Sequence, residues 1–215
     1  ALLAQALATT RMDVTILHSR RENRFTDGGR ELFDCAGQGR VDTFFLGGVQ
    51  IDGQANINLV GPGAYPATTK RFPGSFGSPF MYFAVPRVIL FREEHSPRTL
   101  VERVDFVSAP GPALSGPGVW RRGGPSLLVT GLCVMAFDGE AWRFRLVSRH
   151  PGVTVADIVA ATGFAFEHDG TEAETPSPPP GHLERLRRDI APRVAAFYPD
   201  FAARVFGVGL EDATA

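Results

Sequence analysis

Short apolar runs rich in Val, Ile, Leu and Phe recur along this sequence and alternate with segments of helical spacing. Such runs, bounded by turn residues, are typical of buried strands. We expect strands over residues 13–17, 41–46, 85–91, 101–107, 126–137 and 142–148. We expect helices over residues 1–10, 31–36, 154–162 and 182–206, the last interrupted at Pro192 and Pro199. This alternation predicts an α/β fold with an open, largely parallel sheet and flanking helices. The hairpin signal Asp138-Gly139 predicts that the sheet is mixed.

The charge balance and the cysteine count exclude several classes of partner. The 215 residues include 22 basic and 23 acidic side chains, for a formal net charge of -1, which argues against a nucleic acid or an anionic membrane surface. No apolar run approaches the roughly 18 residues of a membrane-spanning helix. Cys35 and Cys133 lack the spacing of a zinc site, so no metal is expected. Two lone thiols and the lack of a signal peptide in the opening ALLAQALATT predict a cytoplasmic protein.

The segment LGGVQIDGQANIN, residues 46–58, carries the strongest pattern for a binding site. Gly47 and Gly48 directly after a strand let a ligand or another backbone come close. The amides of Gln50, Asn56 and Asn58 supply donors and acceptors in a small space, which suits a carbonyl or an amide-rich ligand. The alternative is a polar turn that caps the sheet, since Gly, Asn and Asp are ordinary turn residues.

Other candidates surround this segment in the predicted topology. In FPGSFGSP, residues 72–79, the loop residues Gly74, Ser75 and Gly77 predict a backbone N–H nest for phosphate or an oxyanion, although no P-loop lysine follows and an ordinary loop is the alternative. His95 follows a predicted strand, and it either lines the site or has a surface or capping role. The cations that are candidates for phosphate groups, or plain surface charges, are Arg20, Arg21, Arg24, Lys70 and Arg71.

Four motifs occur together in one order: LGGVQIDGQANIN, FPGSFGSP, VILFREEHSPRTLVERVDFVS and RHPGVTVADIVAATGFAF. In this order they resemble the β subunit of family I coenzyme A transferases, of which glutaconate CoA-transferase is an example. The resemblance implies the open α/β fold of these transferases and an α-type partner subunit in a heterodimer or heterotetramer, with the active site at the subunit interface. It also implies an acyl-CoA thioester as substrate and no permanently bound cofactor. Ala55 departs from the family pattern, which has Gly there.

A second departure concerns the nucleophile. In the transferases a glutamate after the strand corresponding to residues 13–17 attacks the thioester and carries CoA as a glutamyl-CoA ester; an ungapped alignment of MDVTILHS places Ser19 there. A Ser hydroxyl is a weak nucleophile without an adjacent base, and it cannot shuttle CoA as a carboxylate does. His18 points to the opposite face if the segment is extended, so a His18–Ser19 dyad needs a sharp turn. Glu22 is the nearest carboxylate, either folded back to the site or solvated.

The missing glutamate favours other acyl-CoA chemistry. The chain also resembles two relatives without that glutamate, a steroid-ring-opening hydrolase subunit and the methylglutaconyl-CoA decarboxylase subunit. We therefore expect a hydrolase or a decarboxylase, with Ser19 and Glu22 as the catalytic candidates; a true transferase and a catalytically silent subunit remain the alternatives. The domain prediction is a β-type transferase domain over residues 1–168 with an N-terminal piece missing, a Pro-rich linker over 169–181 and a helical extension over 182–215.

Overall fold

The computed structural model describes residues 1–17, 19–116 and 118–208. The helices are α1 Leu2–Leu7, α2 Gly28–Gly37, α3 Ser78–Ala84, α4 Pro112–Ser115, α5 Val155–Ala161, α6 Pro180–Arg185, α7 Ala191–Ala195 and α8 Pro199–Phe206, with a π-helical turn at Leu186–Ile190. The strands are β1 Thr43–Gly47, β2 Gln50–Ile51, β3 Ile57–Asn58, β4 Arg87–Arg92, β5 Gly124–Thr130, β6 Cys133–Asp138 and β7 Arg143–Arg149.

The chain forms two compact units. One is Gly29–Thr175, and the other combines Ala1–Gly28 with the described residues of Pro176–Ala215. The sheet unit is the first, and the second is built from helices and loops. The predicted division into residues 1–168, 169–181 and 182–215 stays a prediction.

The sheet unit contains a five-stranded sheet with the strand order β1-β4-β5-β6-β7. The β1–β4 and β4–β5 pairs are parallel, and the β5–β6 and β6–β7 pairs are antiparallel, which confirms the expected mixed sheet. The hairpin at Asp138-Gly139 joins β6 to β7 as predicted. A separate two-stranded ribbon pairs β2 with β3 and sets Gln50 opposite Asn58.

Alternation of side chains explains how this sheet forms a core on one face. Along β7, Phe144, Leu146 and Ser148 are buried, while the intervening Arg145 and Val147 are exposed. Val88 and Leu90 of β4 and Leu128 of β5 are buried in the same way. Burial of such apolar side chains stabilises the unit by roughly 1.5–3 kcal/mol each.

Three predicted strands differ from the structure. Residues 13–17 form no strand, because the Ile16 N–H donates to the Glu22 carbonyl (3.0 Å) and closes a short loop. Residues 101–107 form bends and irregular backbone, flanked by isolated bridges at Leu100 and Ala109. The run 126–137 is two strands, because the Thr130 hydroxyl accepts the N–H groups of the next turn and reverses the chain at Gly131.

The predicted helices near the carboxyl half of the chain are confirmed. Thr154 caps α5 in a capping box with Asp157, each side chain accepting the other residue's backbone N–H. The predicted interruptions at Pro192 and Pro199 fall at the starts of α7 and α8. The helix α3 was not predicted; Pro79 in its first turn fits the rule that proline is tolerated there.

Within the described residues, none of the helices is long and apolar enough to cross a membrane. Cys35 and Cys133 are free thiols. The same part of the chain holds no group of three or more His, Cys, Asp or Glu side chains arranged to bind a metal ion.

Candidate functional site

The strands β1, β4 and β5 are mutually parallel, so their carboxyl ends lie at one edge of the sheet. Two antiparallel pairings make β7 run in the same direction, and it ends at this edge as well. In open α/β sheets ligands bind beyond the carboxyl ends of the strands. The segments that leave this edge are 48–58 after β1, 93–99 after β4, the turn 131–132 after β5 and 150–154 after β7.

Polar side chains of segment 48–58, together with Asp105, form two hydrogen-bonded groups on the same ribbon. We name them together the amide cluster: Gln50, Asp52, Asn56, Asn58 and Asp105. Asn58 Nδ2 donates to Gln50 Oε1 (2.7 Å), and Gln50 Nε2 donates to Asp105 Oδ2 (2.8 Å). Gln50 Oε1 also accepts the Asp105 N–H at 3.1 Å. Gln50 and Asn58 are 5% and 0% exposed, so these bonds are shielded from water.

Asp52 organises the other half of the amide cluster. Its Oδ1 accepts the backbone N–H groups of Gln54 and Asn56 at 3.1 and 3.0 Å. Asn56 Nδ2 donates to both carboxylate oxygens at 3.1 and 3.0 Å, and Asn56 Oδ1 accepts the Gly111 N–H at 2.8 Å. The amide groups of Gln50, Asn56 and Asn58 are therefore all bonded within the chain, and their binding of acyl-CoA stays a prediction.

Of the two glycines at the end of β1, Gly48 lies where the chain packs too closely for a side chain, whereas a Cβ on Gly47 would make ordinary contacts at 3.5 Å or more. A Cβ on Gly48 would lie 3.0 Å from Ile57 Cγ2 and 3.1 Å from the Gln50 carbonyl oxygen, which explains why a side chain is not accommodated easily. Ala55 has a φ of 61°, in the left-handed region that favours glycine. Its carbonyl accepts a hydrogen bond from the Tyr82 hydroxyl at 2.8 Å, and burial raises the pKa of that phenol. The position where the family has Gly thus keeps the glycine-type backbone conformation.

The loop before α3 was predicted to form an anion nest. Gly74 has a φ of 102° and Phe76 a φ of 43°, and the Ser75 carbonyl accepts the Ser78 N–H at 2.8 Å. Phe76 is 74% exposed and its ring centre lies 5.7 Å from that of Phe33. An anion site at Gly74, Ser75 and Gly77 stays a prediction.

His95, predicted to line the site, lies in the segment after β4. Its Nδ1 is 2.8 Å from Thr130 Oγ1, and its Nε2 is 2.8 Å from Thr162 Oγ1. Burial lowers the pKa of His95 to about 4, so the imidazole is neutral at pH 7. Cys133 Sγ lies 3.9 Å from His95 Nδ1, and burial raises the pKa of this thiol to about 11. This pair therefore does not form an activated thiolate.

The predicted catalytic residues Ser19 and Glu22 lie in the helical unit, in one turn. Ser19 is 4% exposed, and its Oγ accepts the Glu22 N–H at 3.1 Å. Both carboxylate oxygens of Glu22 accept from Arg193, its Nε and Nη2 lying 2.9 Å away in each case. Of the two alternatives left open for Glu22, a solvated carboxylate does not fit this pair, in which Glu22 is 18% exposed. A place for Glu22 in the active site stays a prediction. His18, and with it the His18–Ser19 dyad, lies outside the described residues.

The candidate phosphate ligands are surface cations. Arg24 pairs with Asp13, and the Lys70 ammonium lies 5.2 Å from the centre of the Phe72 ring. Arg20, Arg21 and Arg71 are exposed, so their role toward CoA stays a prediction.

Removing the Arg193–Glu22 pair is expected to destabilise the helical unit. The side chains are 35% and 18% exposed, so we expect a coupling of about 1–2 kcal/mol in a double-mutant cycle of Arg193→Met and Glu22→Gln, measured by urea unfolding. The matched control is Arg188–Glu184, whose side chains are 63% and 70% exposed. We expect less than about 0.5 kcal/mol there. Equal coupling in both pairs would contradict the geometry described for Glu22.

Some site residues were not found from the sequence. Asp105 gave no signal beyond its place in the motif VERVDFVS, and Arg193 is 171 positions from Glu22. Thr130 lies in none of the quoted motifs, and Thr162, although it lies in the motif RHPGVTVADIVAATGFAF, was not singled out. Such partners depend on tertiary contacts that a pattern of neighbouring residues does not encode.

The mixed sheet, with polar segments at its carboxyl edge, places the chain in the class of open α/β sheets, in which ligands bind beyond the strand ends. Residues 10–161 match the family model described as Coenzyme A transferase. The chain belongs to the Coenzyme A transferase family.

Three relatives illustrate the range of activities found in this family. The chain is 33% identical over 162 residues to a 3-oxoadipate CoA-transferase subunit of Pseudomonas knackmussii, a match that covers 74% of this chain and 62% of that protein. The crystal structure of Rhodococcus jostii RHA1 IpdAB aligns with a TM-score of 0.70 and 28% identity, over 78% of this chain and 67% of that one. The crystal structure of the decarboxylase AibA/AibB aligns with a TM-score of 0.64 and 27% identity, over 83% and 66%. The chain thus spans less than two thirds of the curated transferase subunit.

Proposed function

We propose that this chain is the β-type subunit of a heteromeric enzyme that acts on an acyl-CoA thioester as a hydrolase or a decarboxylase. Membership of the Coenzyme A transferase family supports the substrate class. The likeness to a transferase subunit, to IpdAB and to the decarboxylase AibA/AibB supports an α-type partner, because each of these names a subunit or a two-component complex. CoA enters as part of the substrate, and no resident cofactor is proposed.

The observation that carries the choice of chemistry is the turn at Ser19 and Glu22. A transferase needs a free carboxylate to hold CoA, whereas here the aligned residue is Ser19, whose Oγ accepts a backbone N–H. The nearest carboxylate, Glu22, is bound on both oxygens by Arg193. Without a carboxylate to carry CoA, two kinds of reaction remain. Either water takes the acyl group and CoA is released, or CoA stays attached to the product.

In this proposal, acid–base groups of the partner subunit carry out the proton transfers and this chain shapes the pocket. Hydrolysis breaks the bond between the acyl carbon and its leaving group. Water supplies OH to the acyl carbon and a proton to the leaving group. Decarboxylation breaks a C–C bond, releases CO₂ and replaces it with a proton from an acid. We propose that Gly47, Gly48 and the loop residues Gly74, Ser75 and Gly77 contribute backbone groups to that pocket.

The test is a trapping experiment on the chain co-expressed with its α-type partner. The complex is incubated with acyl-CoA and then with borohydride or hydroxylamine, and the intact mass of this chain is measured. We expect turnover with no covalent modification of this chain, and no covalent modification of the Ser19→Ala variant either. A glutamyl-CoA ester trapped on this chain would contradict the proposed chemistry and support a true transferase.

The burial and internal bonding of the candidate side chains favour a second interpretation, a catalytically silent subunit. Ser19, Gln50 and Asn58 are all buried and bonded within the chain. Substitution of each residue in the reconstituted complex separates the two interpretations. Unchanged turnover in all three folded variants would favour the silent subunit, whereas a loss in any of them supports the proposed catalytic pocket.

A further inference from the structure

Two threonine hydroxyls fix the tautomer of His95. Thr162 Oγ1 donates its only proton to the Ile158 carbonyl at 2.7 Å, so toward His95 it acts as an acceptor. The Nε2 of His95, 2.8 Å away, must therefore carry the proton. Nδ1 is then unprotonated and accepts from Thr130 Oγ1 at 2.8 Å. Both ring nitrogens are satisfied, which leaves neither available to a substrate.

Thr130 has no acceptor capacity left for a second proton on His95. Its Oγ1 already accepts the N–H groups of Leu132 and Cys133 at 3.2 and 3.1 Å. Its proton has two other nearby acceptors, the Cys133 carbonyl at 3.2 Å and Cys133 Sγ at 3.6 Å, and both contacts are longer than the one to His95. The hydroxyl is thus oriented toward His95 by the turn between β5 and β6.

The segment that carries His95 is bonded directly to the ribbon of the amide cluster. Four residues further on, the Thr99 carbonyl accepts the Ile51 N–H at 2.8 Å, and the Val101 N–H donates to the Ile51 carbonyl at 3.0 Å. Ile51 lies between Gln50 and Asp52 and pairs with Ile57 across the ribbon. The position of residues 99–101 therefore sets the position of the amide cluster.

A second connection runs from the same helix end that receives His95. Gly163, next to Thr162, donates its N–H to the Leu100 carbonyl at 2.7 Å. A Cβ on Gly163 would lie 2.4 Å from that oxygen, so only glycine fits without a shift. Thr162 and Gly163 thus hold the 95–101 segment at two points, one through the His95 side chain and one through the backbone.

From this geometry we propose that His95 is a positioning residue for the amide cluster. It joins the end of β4, the β5–β6 turn and the end of α5, and through residues 99–101 it fixes the ribbon that carries Gln50 and Asn58. The consequence for acyl-CoA turnover rests on the function proposed above, whereas the coupling itself does not.

Hydrogen exchange tests the coupling on the full chain. In His95→Ala we expect the Ile51, Val101 and Gly163 amides to lose protection by about tenfold or more, while the amides that pair β6 with β7 keep theirs. Leu146→Ala is the matched destabilising control, since Leu146 is 2% exposed and lies on β7. In Leu146→Ala the amides that pair β6 with β7 should lose more protection than those of Ile51, Val101 and Gly163. His168→Ala, at an exposed histidine, should change neither set.

Two outcomes in His95→Ala would overturn the proposal. One is unchanged protection of the Ile51, Val101 and Gly163 amides, and the other is an equal loss of protection there and in the amides that pair β6 with β7. The second outcome would mean that His95 contributes only to global stability. Because exchange is measured without substrate, it is independent of whether the complex acts on acyl-CoA.

Nitrogen NMR of histidine-labelled chain gives a second readout, assigned with His95→Gln. We expect a protonated Nε2 and an unprotonated Nδ1 for His95, with signals that do not move when CoA or an acyl-CoA is added. A shift of these signals on addition would show a ligand contact and overturn the positioning role. Absence of turnover by the complex, with the exchange result as expected, would remove the proposed function and leave the coupling intact.

Discussion

Replacing Asn58 by alanine is expected to lower the free energy of unfolding by about 3–5 kcal/mol. Asn58 is fully buried, and its Nδ2 donates to Gln50 Oε1 and to the Gly61 carbonyl at 2.7 and 2.8 Å. Its Oδ1 accepts the N–H groups of Val60 and Gly61 at 2.9 and 3.1 Å. Truncation leaves these buried partners unpaired, and each such group costs about 1–3 kcal/mol.

Urea unfolding of the full chain measures this loss, and Gln54→Ala is its matched control. Gln54 lies in the same segment, but its side chain is exposed, so we expect a change within about 0.5 kcal/mol. Asn58→Asp keeps the acceptor for Val60 and Gly61 and loses both donors, and it should also be destabilised. If Asn58→Ala cost less than about 1 kcal/mol, the amide would not be committed to internal bonds, and a ligand-facing role for Asn58 would be favoured.

The sheet was predictable because its strands carry local signals. Arg143–Arg149 alternates between buried and exposed side chains, and Asp138-Gly139 marks its hairpin, so both follow from spacing alone. Thr154 and Asp157 mark the start of α5 in the same way, through neighbouring residues. Such elements need no knowledge of distant partners.

The wrong predictions concern segments whose structure depends on contacts that the local sequence does not specify. Residues 13–17 have the composition of a strand, but a strand needs a partner for its backbone groups, and here Ile16 bonds to Glu22 instead. The run 126–137 is mainly apolar, and the reversal at Thr130 and Gly131 was not predicted from its composition. The reversal depends on the hydroxyl of Thr130, one polar side chain in that run.

For the candidate site, the sequence located the polar residues but not what they bond to. The motif at residues 46–58 predicted donors and acceptors close together, and the structure brings Gln50 and Asn58 into contact. An amide satisfied by Asp105 and one that faces a ligand have the same sequence pattern. The distinction requires burial and partners, which come from packing between distant segments, as the pair of Gln50 and Asp105 shows, 55 positions from each other.

Acidification from pH 6.5 to about 4.5 is expected to destabilise the protein through His95. The pKa of His95 is lowered by burial from 6.5 to about 4, so in this range the unfolded chain binds a proton that the folded chain does not. The free energy of unfolding therefore falls as pH falls through 6.5, and the loss is complete near pH 4. Its total is about 2–3 kcal/mol, from about 1.36 kcal/mol per pKa unit and partial burial of the ring.

Other groups contribute in a different pH window. Hydrogen bonds hold the pKa of Glu94, Asp138 and Asp157 below the usual values of 4.5, 3.8 and 3.8, so the stability they supply is lost only as pH falls below about 4.5. Cys133, beside His95, keeps its proton throughout because burial raises its pKa to about 11. Between pH 6.5 and 4.5 the pH dependence of the free energy of unfolding thus reports mainly on His95 among the side chains with shifted pKa values.

Chemical denaturation at a series of pH values separates His95 from the remaining groups. His95→Gln has no titrating ring, so its free energy of unfolding should be nearly constant from pH 6.5 to 4.5, where the unsubstituted protein loses stability. His168→Gln is the matched control at an exposed histidine and should keep the full slope. A slope in His95→Gln equal to that of the unsubstituted protein would show that His95 is not the buried neutral imidazole described. Because protonation of Nδ1 requires Thr130 to give up its hydrogen bond, loss of stability should coincide with loss of amide protection at Ile51 and Val101, which links the acid transition to the amide cluster.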